Sequence, residues 1–118
     1  MFRKLNKMEN TLMKNKISIL IKEPGKDAYR AEIGNTLESL QSEVGGSIEA
    51  VTIADGLVLI CDEEGKLKNR TANFSFAGDV FVGTVILAGT DGEDFATLPE
   101  CTEELIELIS PQLVRARR

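Results

Sequence analysis

Apolar positions along this chain fall mostly in blocks of strand length, with two stretches at helical spacing. The first block, ISILIK at 17–22, is rich in β-branched residues and runs into Pro24-Gly25, which predicts a strand closed by a turn. YRAEI at 29–33 alternates weakly and fits a short antiparallel partner. Leu37, Leu40, Gln41 and Val44 then recur at helical spacing, three of them apolar, and predict a helix with one buried stripe. Asn35 or Thr36 can cap its first turn; with Asn35 as the cap, Glu38 completes something close to a capping box. Gly45-Gly46 stops the helix, because glycine enters the left-handed cap without a Cβ penalty.

IEAVTI at 48–53 and LVLIC at 57–61 flank Ala54-Asp55-Gly56, and Asp-Gly favours a type I′ hairpin turn. Alternation puts Ile48, Ala50 and Thr52 on one face and Glu49, Val51 and Ile53 on the other. LVLIC has no polar residue, which predicts a central strand covered on both faces. Asp62-Glu63-Glu64-Gly65 predicts a turn with Gly65 in the left-handed position. Residues 66–79 are polar and irregular and predict a long loop with room for a short strand or 3₁₀ turn. VFVGTVIL at 80–87 predicts one apolar strand, with Gly83 marking a bulge or a close approach. A turn at 90–93 and a short edge strand at 95–98 follow. Thr102 caps a last helix whose buried face is Leu105, Ile106, Leu108 and Ile109, ended by Pro111.

These elements predict an α+β fold: an antiparallel or mixed sheet of four to six strands carrying two helices on one face. The 118 residues suit one domain, and a hydrophobic content of 42% is enough for a core. We expect a flexible extension at 1–12, a single α+β domain at 13–114 and a basic tail at 115–118. No apolar run approaches the ~20 residues that cross a bilayer. The basic N-terminus lacks an apolar core of the secretory kind. The expectation is a cytoplasmic protein without a membrane.

Charge changes the picture. The net charge of −5 divides into +4 over 1–16, −12 over 17–114 and +3 over 115–118. An acidic body repels nucleic acid and suits basic protein surfaces. Five Phe, one Tyr and no Trp leave little for base stacking.

Absent chemistry narrows the function further. Without histidine there is no Ser–His or Cys–His catalysis and no imidazole metal site. Cys61 and Cys101 stand 40 apart with no CxxC, and are expected to be free thiols. Neither GxxxxGK[ST] nor GxGxxG occurs. The expectation is no catalytic residue, no metal, no cofactor and no enzyme activity.

Asp62, Glu63 and Glu64 carry the most chemistry that remains. Clustered carboxylates can hold a hard cation, act as an acid–base pair, attract a basic partner, or simply solvate a turn. Asp91, Glu93 and Asp94 form a second acidic turn. Lys66, Asn69, Arg70 and Asn73 could meet a phosphate or a nucleobase from a loop. Gly45-Gly46 could offer backbone N–H groups to an anion, or serve only as a cap.

LESLQSEVGGSIEAV, LVLICDEEGKLKN and DVFVGTVILAG together resemble a family of small proteins of unknown function carried by phages and mobile elements. The matching positions are Leu37, Leu40, Gln41, Val44, Gly45, Gly46, Ile48, Glu49, Asp62, Glu63, Glu64, Gly65, Lys66 and Gly83. The resemblance brings no activity, cofactor or catalytic residue. It implies a setting in which small acidic proteins interfere with host defence.

The leading expectation is a non-catalytic inhibitor of a host defence effector, of the anti-CRISPR kind. It would present Glu49, Asp62, Glu63 and Glu64 to a host protein's basic, nucleic-acid-binding surface. The alternative is a binder of a small nucleotide signal, using Lys66, Asn69, Arg70 and Asn73. A carboxylate-based metal enzyme is the third reading. Direct nucleic-acid binding is disfavoured by the acidic body, and pairing of two copies through an exposed strand edge stays open.

Overall fold

A computed structural model describes residues 16–76 and 78–99. Their elements are β1 (Lys16–Lys22), β2 (Tyr29–Gly34), helix α1 (Leu37–Val44), β3 (Ile48–Ala54), β4 (Leu57–Asp62), β5 (Ala72–Phe76), β6 (Asp79–Val82), β7 (Val85–Asp91) and β8 (Asp94–Ala96). Six strands form one antiparallel sheet in the order β2-β1-β7-β4-β3, with β8 paired to the far end of β7. β5 and β6 form a separate two-stranded sheet.

Alternation along the central strands explains the layering. Val58 and Ile60 of β4, Ile86 and Ala88 of β7, and Ile17, Ile19 and Ile21 of β1 pack with Leu40 and Val44 of α1. Leu57, Leu59 and Cys61, with Val85, Leu87 and Leu20, turn to the opposite face and pack under Phe74 and Phe81 of the hairpin. Those two rings stack with centroids 5.5 Å apart. The sheet is therefore covered by a helix on one side and a β-hairpin on the other. That is why β4 is buried along its whole length, as its unbroken apolar run predicted.

The expected α+β fold with two helices is corrected by this arrangement. The described residues are 54% strand and 10% helical, with one short helix and two sheets. The element that covers the sheet's second face is the β5–β6 hairpin. The helix predicted from Thr102 onward, the extension at 1–12 and the tail at 115–118 lie outside the described residues.

Of the two capping residues that the sequence offers, Thr36 caps α1: its hydroxyl accepts from the Ser39 N–H at 3.1 Å. Three local differences have physical causes. The β3–β4 turn is not type I′, because Asp55 keeps a negative φ while Gly56 takes +79°. A register shift between Thr52 and Ala54 takes up the twist instead. The left-handed residue after β4 is Asn69 (φ 58°), whereas Gly65 is a close approach: a Cβ there would lie 2.9 Å from Val82 Cγ2. Finally, the apolar run at 80–87 is two strands. Gly83, at φ +73°, breaks it and hands the chain from the hairpin to the main sheet.

Burial separates residues that look alike in sequence. Leu59 is 1% exposed and Leu67 is 83% exposed. Leu59→Ala is expected to cost about 3 kcal/mol, through lost burial and the cavity it leaves. Leu67→Ala is expected to stay within about 0.5 kcal/mol. Urea unfolding of the two variants checks this.

Candidate functional site

The acidic turn and the loop after it fold back on each other, and only part of each remains available. Asp62 ends β4 facing the α1 side, and its side chain is 1% exposed. Its Oδ2 accepts from Arg70 Nε at 2.8 Å and Lys68 Nζ at 2.9 Å; its Oδ1 accepts from the Glu64 N–H at 2.9 Å. Arg70 Nη2 also donates to the Gly45 carbonyl at the C-terminus of α1 at 2.8 Å, and Lys68 Nζ reaches the same oxygen at 3.5 Å. The guanidinium, with the Lys68 ammonium beside it, thus ties the helix end to β4.

Local structure explains how cations six and eight residues on reach Asp62. The segment 63–69 coils tightly, with bonds from Gly65 N to Asp62 O and from Lys68 N to Glu64 O. It closes with Asn69 N to Lys66 O and Arg70 N to Gly65 O, the paired bonds of a Schellman motif around left-handed Asn69. Three glycines make room. A Cβ on Gly45 would lie 2.9 Å from Arg70 Nη2, one on Gly46 2.6 Å from Lys68 Nζ, and one on Gly83 2.7 Å from Arg70 Cδ. Gly45, Gly46 and Gly83 of the resembling strings therefore line one polar junction.

Burial alone would push the Asp62 carboxyl up. The bonds from Lys68, the Glu64 N–H and Arg70 outweigh that and hold it below the ordinary carboxylate range. Asn73 is also engaged internally and fully buried. Its Nδ2 donates to the Lys22 and Gly83 carbonyls, both at 2.8 Å, and its Oδ1 accepts from Lys22 Nζ at 3.0 Å. Lys22, equally buried, also donates to the Glu23 carbonyl at 3.0 Å. The Asn73–Lys22 contact pins the hairpin to β1.

The candidate residues thus divide. Of the acidic set, Glu49, Glu63 and Glu64 are exposed, and Asp62 is buried in its ion pairs. Of the loop set, Lys66 and Asn69 are exposed, whereas Arg70 and Asn73 spend their polar atoms on the fold. The four loop residues do not converge on one ligand position. Among the described residues, no group of three or more Cys, Asp or Glu side chains is placed to hold a metal ion.

A cleft of about 220 Å³ does gather several of these residues, between β3, the coiled segment and β6. Glu49, Glu63 and Asp79 supply carboxylates to its lining, Lys66 a cation, and Leu67 and Val80 apolar surface. Leu67 and Val80, 83% and 42% exposed, are among the large apolar side chains that the surface shows. Lys66 Nζ meets Asp79 Oδ1 at 3.2 Å in an exposed pair. Cys61 lies in the same lining with its thiol pushed up to about 11, first by burial and then by Glu49, Asp62 and Asp79, so it stays protonated at neutral pH. Asp79, Leu67 and Val80 carried no signal in the sequence. Only the β5–β6 hairpin, folding back over the sheet, brings Asp79 and Val80 beside the coiled segment.

A family model described as Domain of unknown function (DUF3846) matches residues 14–110. No curated protein and no solved structure matches the chain.

Two predictions follow from the internal bonds. Asp62→Asn is expected to cost about 2 kcal/mol near neutral pH, less than a fully buried pair because Lys68 and Arg70 are about one-third exposed and can turn to water. The unfolded carboxyl titrates near its ordinary ~3.9, so the folded state holds the proton more weakly. This stabilisation is complete above that value and is lost as pH falls through the lower folded one. The stability gap between wild type and Asp62→Asn should therefore narrow below about pH 4, measured by urea unfolding across a pH series. Asn73→Ala takes an acceptor from the buried Lys22 amine and a donor from two carbonyls. It is expected to cost about 2–3 kcal/mol in the same assay.

Proposed function

The chain belongs to the DUF3846 family of domains of unknown function, and from that premise we propose that it is a non-catalytic protein-binding module with an acidic docking cleft. The observation that carries this reading is the make-up of the cleft. Exposed carboxylates of Glu49, Glu63 and Asp79 surround exposed apolar surface at Leu67 and Val80. An apolar centre with a charged rim suits a protein surface that presents Lys or Arg beside an apolar side chain. Glu64 extends the acidic rim outside the cleft. Asp62 supports the rim from behind through its ion pairs.

The setting is the finer part of the proposal. The resemblance to proteins carried by phages and mobile elements favours a host defence effector as partner, bound at its basic nucleic-acid-binding surface and thereby inhibited. The nucleotide-binding reading draws less support, because Arg70 and Asn73 would have to leave bonds that hold the fold.

Charge reversal tests the module. The full-length chain and a Glu49→Lys, Glu63→Lys, Asp79→Lys variant are compared for capture of bacterial nucleic-acid-binding proteins across a salt series. Wild type is expected to retain a partner that elutes as salt rises, and the variant to lose it. Lys66→Ala removes the internal competitor for Asp79 and is expected to strengthen retention. Capture that ignores both changes contradicts the reading.

A further inference from the structure

The main sheet has two outer strands, β2 and β3, each hydrogen-bonded to a single neighbour among the described residues. They differ as edges. β3 carries a register shift near its end and the exposed Glu49, both of which discourage addition of another strand. β2 runs through six residues in unbroken register with β1, from Ile21↔Tyr29 to Lys16↔Gly34. It has no proline and no bulge, and the only charges within it are Arg30 and Glu32.

Those two charges are placed so that the strand complements itself. In an antiparallel pair of β2 strands related by a two-fold axis at Ala31, Arg30 of each copy stands opposite Glu32 of the other. The same register sets Tyr29 opposite Ile33. Both charges are exposed, and neither has an ion pair among the described residues. Arg30 donates to Ser18 Oγ at 2.8 Å, which leaves its charge uncompensated.

A second observation agrees. Tyr29 is 44% exposed and lies on the α1 side of β2, the side to which Ala31 and Ile33 also turn. On that side a groove of about 390 Å³ runs between β2 and α1, lined by Ile33, Gly34, Glu38, Ser39, Ser42 and Glu43. The Tyr29 hydroxyl donates to Glu23 Oε2 of its own chain at 3.1 Å; the two-fold pairing sets its exposed ring opposite Ile33, beside this groove, as apolar contact surface.

We propose that β2 is a homodimerisation edge, occupied by β2 of a second copy in a symmetric antiparallel pair about Ala31. The two main sheets would then join into one continuous sheet across the two-fold axis. The contact shares no residue with the acidic cleft and stands independently of it.

Sedimentation equilibrium on the full-length chain tests the proposal, with thermal melts to confirm that each variant is folded. Wild type is expected to show a concentration-dependent dimer. Arg30→Glu and Glu32→Arg each set like charges opposite one another twice, and each should weaken the dimer roughly tenfold. The combined Arg30→Glu, Glu32→Arg variant restores both pairs and should return the affinity close to wild type. A wild type that stays monomeric at all concentrations overturns the proposal. So does a dimer indifferent to both single changes, which would assign the contact to another surface or segment. A double variant no tighter than the single ones would overturn the register.

Discussion

The contact on which the rest depends is the pairing of Asp62 with Arg70 and Lys68 beneath the C-terminus of α1. A buried carboxylate is costly unless its oxygens are filled, and here both are: two cations on Oδ2 and a backbone N–H on Oδ1. The arrangement needs a helix that ends at Gly45 with its carbonyl open to Arg70 and Lys68. It needs a chain segment that coils back within eight residues, and no side chain at Gly45, Gly46 or Gly83. Helix end, central strand and hairpin entry thus meet at one group. The Lys22–Asn73 contact, between residues 51 apart in sequence, fastens the same entry end of the hairpin to β1.

This junction sorts the chain's acidity into two kinds. Asp62 has its charge compensated inside the fold. Glu49, Glu63 and Asp79 lie at the surface, where charge can act on another molecule. Lys66–Asp79 is an exposed pair of the kind that contributes little, so an incoming cation can replace it at small cost. In this account the rigid ion-paired junction sets where the cleft forms, and the free carboxylates and apolar side chains set what it accepts. The β2 edge lies at the other side of the sheet, so docking and self-association need not compete.

Much of this was legible in the sequence wherever local periodicity decides. β1, β2, α1, β3 and β4 follow from apolar spacing, the glycine stop and the Asp-Gly turn. What escaped depends on contacts distant in sequence. ANFSF at 72–76 lies in a stretch that reads as loop with room for a short strand, and its place is not fixed because Asn73 looks like a surface residue until Lys22 arrives from β1. The run at 80–87 reads as one strand because nothing apolar changes at Gly83; the break shows only when the chain leaves one sheet for another. The α+β expectation overweighted helices for the same reason, since the hairpin that covers the second face was not visible. Asp62, Glu63 and Glu64 looked equivalent, and only the left-handed turn at Asn69, which returns Lys68 and Arg70, separates the first from the other two.

The central claim is that Asp62 and Arg70 act as one structural unit, with function left to the carboxylates around them. A double-mutant cycle on folding stability, using Asp62→Asn, Arg70→Gln and the pair together, addresses it most directly. The account predicts that the double variant costs less than the sum of the single ones, by about 1 kcal/mol or more. Additivity within about 0.3 kcal/mol would contradict it, and would return Asp62 to the surface acids available to a partner.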